Sequence, residues 1–189
     1  MQKMTYKRIV IPVGDRGNLI KMCGSLPYNT EIELGGYLTP SSIYFTEGTD
    51  DNVPVFGHHD VVFHTHPVGE RGDIPSELDI LNLLFMDWKT SVLFTQHRLI
   101  ILSKTPATMR VIDEIDKTHG RHALDMATLL RTEGPKSVFY YLVKRFVKNH
   151  MLKNNISHRK WPQNWDSFVT GTLKMDLKTW DCVPLCNAA

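Results

Sequence analysis

Apolar and polar positions along the chain change period several times, and each change marks an element. KRIVIPV (7–13) is a β-rich run broken by Pro12, and residues 17–26 suit a short helix ending near Gly24. Pro27-Tyr-Asn-Thr is turn chemistry. EIELGGYL (31–38) reads as a strand whose paired glycines mark a bulge or a close backbone approach. SSIYFTEG (41–48) is its expected antiparallel partner across Thr39-Pro40, and DVVFHTH (60–66) is a further strand. From Ser76 to about Trp88 the apolar positions Leu78, Leu81, Leu84, Phe85 and Trp88 recur near the helical period. SVLF (91–94) and RLIILS (98–103) bracket Thr95-Gln96-His97 as a hairpin. Helical patterns follow at 106–118, 121–132 and 135–152, and the Trp-containing tail, 160–189, reads as irregular. Strands around one central buried helix, then more helices, predict an α/β or α+β domain.

Composition changes this picture little. The chain has 189 residues, enough for one substantial core, with 42% apolar and 22% charged residues, the balance of an ordinary globular protein. A net charge of +2 gives no global steering towards nucleic acid or membrane. Three cysteines, Cys23, Cys182 and Cys186, fit a reducing compartment better than a disulfide framework. The run IVIPV is too short for a signal segment, and no stretch is long enough to span a bilayer. The expectation is a cytoplasmic or nuclear protein, or one in the cytosol of an infected host cell.

The chemistry concentrates in HTHPVGERGDIPSELD (64–79). Strand alternation sends His64 and His66 to one side and Thr65 to the other. Pro67 ends the strand, and Pro75-Ser76 opens a helix with Glu77 and Asp79 in its first turn. If the loop folds back, Asp79 completes a His-His-carboxylate set. Zinc with three protein ligands keeps a fourth position open, as catalytic zinc does. Hydrolysis also needs a base and a donor for the oxyanion. Ser76, beside Asp79, suits the donor role, and Glu31 and Glu33 share one face of the upstream strand as candidate bases.

Glu33-Leu-Gly-Gly36-Tyr-Leu38, then His64-Thr-His66-Pro67, then Ser76-Glu-Leu-Asp79 resembles the JAMM (MPN+/JAB) metalloprotease family. Its pattern is a glutamate on an E-x-x-G-x-L strand, then H-[ST]-H-P, then S-x-x-D. The pattern fits from Glu33, because starting at Glu31 would place Leu34 where it has glycine. The resemblance spans about 7–103. It implies a cytidine-deaminase-like mixed β-sheet flanked by helices over 1–105, with a helical C-terminal extension over 106–189. It further implies one Zn2+ held by His64, His66 and Asp79, with Glu33 as general acid/base and Ser76 stabilising the oxyanion. The implied activity is zinc-dependent isopeptide or peptide hydrolysis, typically removing ubiquitin or a ubiquitin-like modifier from lysine. The loop between His66 and Ser76 is longer than the family's common spacing, a change that costs little in closure entropy. Segments 47–59 and 80–104 are shorter than the insertions linkage-selective deubiquitinases use.

Other chemical residues have plainer readings. His58 and His59 suit a surface turn rather than spare ligands, and Glu47, Asp50, Asp51, Glu70 and Asp73 suit solvated loops. Cys182 and Cys186 lack the second pair of a structural zinc site. Between Gly134 and Trp165 stand seven Lys/Arg and no acid. Phe139, Leu142, Val143, Phe146 and Val147 form a helical apolar stripe there. That basic 135–160 segment defines the rival reading, a non-catalytic scaffold docking an acidic partner or nucleic acid. A second enzymatic rival keeps the chemistry but cuts a sulfur-carrier protein or a peptide crosslink.

Overall fold

The computed structural model describes residues 5–27, 31–49, 53, 55, 57–67, 73–113 and 165–181. It is a mixed α/β structure with a seven-stranded sheet in the order β1-β3-β2-β4-β5-β6-β7. The strands are β1 Lys7–Val10, β2 Leu34–Thr39, β3 Ser42–Glu47, β4 Val61–Thr65, β5 Thr90–Phe94, β6 Arg98–Ser103 and β7 Asp176–Asp181. Helix α1 is Leu19–Cys23, α2 is Glu77–Phe85, and α3 covers 106–113. β1–β3, β3–β2, β2–β4 and β5–β6 pair antiparallel, while β4–β5 is parallel.

Two compact units make up the chain. The first comprises Met1–Ile74, Asp87–Ser103 and Leu177–Ala189, and the second comprises Pro75–Met86 and Lys104–Asp176. In the first, register and alternation line one sheet face with Leu34, Leu38, Ile43, Phe45, Phe63, Val92, Phe94, Leu99 and Ile101. These residues form one core cluster with Ile11, Met22 and Cys23. Burying a side chain such as Phe63 fully is worth roughly 1.5–3 kcal/mol, so this face anchors the sheet. The β2–β3 turn closes on Thr39, whose hydroxyl accepts from Ser42 N and donates to Ser42 O, both at 3.0 Å.

In the second unit, Ile80, Leu83 and Leu84 of α2 are buried, as are Trp165, Phe168, Val169, Leu173 and Met175. Asn82 O accepts from Met86 N at the end of α2, and Lys104 Nζ reaches Met86 O at 2.6 Å. Lys174 adopts a left-handed φ of 56°, and its carbonyl accepts from Thr105 Oγ1 (2.6 Å) and Thr108 Oγ1 (2.9 Å). Those bonds fix the turn that feeds β7.

Several boundaries differ from the sequence expectation. The first strand stops at Val10, because Pro12 leads into a 3-10 turn at Val13–Asp15. α1 is shorter than 17–26, starting where the Asn18 side chain accepts from Lys21 N. The glycine strand runs Leu34–Thr39 rather than 31–38, and α2 ends at Phe85 rather than Trp88. The irregular tail is corrected: a helical turn at 165–167 runs into a π-helical turn, Phe168–Thr172, and then β7. β7 lies at the sheet's edge with nearly every residue exposed, so it carries no apolar alternation to read. Beyond 113, the helices expected at 121–132 and 135–152 lie outside the described residues, as does the basic 135–160 segment.

Candidate metal centre

β4 is central, paired to β2 on one side and β5 on the other, which fixes every side-chain direction in VVFHT. Phe63 and Thr65 face the core cluster, whereas Val62 and His64 face the opposite side of the sheet. Gly35 stands opposite His64, and that is the last β2–β4 pair. His66 N then donates to Phe94 O at 2.7 Å, so the chain follows β5 for one more residue. That residue brings His66 back to the side carrying His64. The rings meet edge to face with centroids 5.1 Å apart, and Nε2 of His64 and Nδ1 of His66 are both buried.

Glu33 precedes β2 but already pairs with the β3 end. Its N–H donates to Thr49 O (2.7 Å), and its carbonyl accepts from Gly48 N (2.8 Å). Two residues before Gly35, it belongs to the face of His64 and His66, and it is only 5% exposed. Glu31 is exposed, and exposed Glu47 is ion-paired to Lys7. Of the three, Glu33 alone is a buried carboxyl beside the histidine strand.

The glycines of this motif answer a steric demand. A Cβ on Gly36 would lie 1.8 Å from the Tyr44 carbonyl oxygen, so only glycine allows β2 and β3 to approach this closely. On Gly35, a Cβ would meet the Val53 side chain at 2.4 Å.

Ser76 and Asp79 form a capping box at the start of α2. Asp79 N donates to Ser76 Oγ (3.2 Å), while Ser76 N and Oγ both donate to Asp79 Oδ2 (2.7 and 2.8 Å).

His64, His66 and Asp79 each offer one ligand atom and make up a group that could hold a metal ion. Two imidazoles and a carboxylate suit a first-row transition metal, and three protein ligands leave coordination positions open. No other such group occurs among the described residues.

Sequence reasoning missed two features. Thr65 looks like a spacer between histidines, yet it is 1% exposed and its Oγ1 accepts from Leu34 N at 2.8 Å. A polar residue on a core-facing strand position was the available signal. The second is an aromatic row on the His64 face. His59 stacks on Tyr37 (3.7 Å, 4°), Tyr37 stacks on Tyr44 (4.8 Å), and Arg8 lies 5.7 Å over Tyr44. Tyr6 meets Tyr37 edge-on at 5.4 Å. Burial, then Tyr44 and Tyr6, hold the Tyr37 phenol above its ordinary pKa. His58 pairs with Asp87 at 2.8 Å in an exposed contact. Cys23 is buried, and Cys182, Cys186, Asp50, Asp51 and Glu70 lie outside the described residues. Among the described residues, no helix is long and apolar enough to cross a membrane. No protein-family model, curated protein or solved structure matches the chain.

Proposed function

We propose that the chain is a JAMM-type zinc hydrolase that cleaves an amide, specifically an isopeptide joining ubiquitin or a ubiquitin-like modifier to lysine. The observation that carries this reading is the donor set itself, His64, His66 and Asp79, two imidazoles and a carboxylate that could hold a metal ion. The buried Glu33 on the histidine face supports it. Zinc held by these three would supply Lewis acidity and lower the pKa of water to about 7. Glu33 takes the proton of the attacking water and later delivers it to the departing amine nitrogen, so one carboxyl serves as base and then acid. Ser76 Oγ donates to the carbonyl oxygen as it becomes an oxyanion. Its single proton points to Asp79 Oδ2 in the resting geometry, so this role requires the hydroxyl to rotate.

Diubiquitin cleavage tests the reading. The wild type should turn over in the presence of zinc, and Glu33→Gln should keep zinc and lose turnover. Full activity in Glu33→Gln would remove Glu33 from the mechanism. The one-sided charge of 134–165 favours a second reading, a zinc-binding or metal-free scaffold that docks an acidic partner or nucleic acid. Partner capture without any hydrolysis would select it.

A further inference from the structure

We propose that Thr65 is a positioning residue for Glu33, its hydroxyl standing in for a backbone carbonyl where the sheet opens beside the histidines. The catalytic part of this inference rests on the hydrolase reading. The backbone N–H and C=O of Glu33 both face the β3 end, at Thr49 and Gly48. The next N–H, that of Leu34, therefore points towards β4. There the β2–β4 pairing has ended at Gly35 and His64, and β4 has turned to Phe94 O through His66 N. The acceptor Leu34 finds is Thr65 Oγ1, at 2.8 Å, between residues only 2% and 1% exposed.

Divergence of two strands normally leaves a buried N–H without an acceptor, which forfeits its hydrogen bond to water with nothing in return. Here a side chain closes the gap, and a β-branched one with little χ1 freedom. The same bond joins the residue after Glu33 to the residue between His64 and His66. It thus sets how far the carboxyl stands from the histidine strand while the ladder itself has parted. A base displaced by about 1 Å can lose roughly a hundredfold in rate, so this single bond bears on turnover.

Thr65→Val keeps the shape and removes the acceptor, and Thr65→Ser keeps the acceptor. The readouts are the nuclear magnetic resonance signal of the Glu33 side-chain carboxyl carbon, zinc content, and kcat and KM on diubiquitin. In Thr65→Val the Glu33 signal should shift, zinc should stay bound, and kcat should fall about a hundredfold with KM little changed. Thr65→Ser should restore both signal and kcat. An unmoved Glu33 signal in Thr65→Val would overturn the proposal, whatever the turnover. Loss of zinc and kcat together without rescue by serine would also overturn it, reducing Thr65 to a fold residue. A shifted signal in a protein whose wild type neither binds zinc nor cleaves would uphold the positioning and sink the hydrolase reading alone. Should Thr65→Val fail to fold, a Thr65→Ser signal identical to wild type upholds the proposal and a displaced one overturns it.

Discussion

Ser76 directs both of its donors, the backbone N–H at 2.7 Å and the hydroxyl at 2.8 Å, to one oxygen of Asp79. Asp79 returns its own N–H to Ser76 Oγ at 3.2 Å. The reciprocal pair starts α2 and, in the same stroke, fixes the rotation of a proposed zinc ligand. One serine therefore has a folding role, and a second one if metal binds.

Substituting Ser76 separates the two. Ser76→Ala should cost about 1 kcal/mol of stability and Ser76→Gly only a few tenths, since glycine is a tolerated N-cap. Zinc affinity should fall about 10–100-fold in both, because each loses the hydroxyl that orients the carboxylate. Chelator competition alongside denaturant unfolding checks this. Wild-type affinity in Ser76→Gly would leave Ser76 as a cap alone.

Gly36 makes a stability prediction independent of any metal. A methyl at this position would meet the Tyr44 carbonyl at 1.8 Å, and backbone cannot swing aside as a side chain does. Gly36→Ala should destabilise by about 3 kcal/mol. Gly35→Ala should cost less, because only the Val53 side chain must move. Equal urea midpoints for the two variants would contradict this.

These cases show how far the sequence reaches. The paired facing of His64 and His66 follows from alternation within a short strand. The box of Ser76 and Asp79 follows from helix-start chemistry, and Gly36 was legible as a close approach. Each is local, decided within a few residues. The role of Thr65 was hidden because it depends on where two strands part, a property of pairing between distant segments. β7 was hidden because an exposed edge strand needs no apolar alternation. The stacking of His59 on Tyr37 depends on how residues 57–59 lie over the sheet, which no periodicity constrains.

Tyr37 predicts an alkaline effect. Its phenol is held above the ordinary value by burial, then by Tyr44 and Tyr6. The fold favours the neutral form, so the folded chain keeps a proton that the unfolded chain loses near pH 10. The stabilisation is complete below the unfolded pKa and is lost as pH rises through the folded one. Unfolding curves across that window should fall more gently for Tyr37→Phe than for the wild type. Parallel curves would mean that Tyr37 titrates as it does in the unfolded chain.

Zinc stoichiometry tests the central claim most directly, measured by elemental analysis on the purified protein and on Asp79→Asn. About one zinc per chain, absent from the variant, is the predicted result for a site closed by His64, His66 and Asp79. A wild type that takes up no zinc even after metal addition, or a variant that keeps it, would contradict the site.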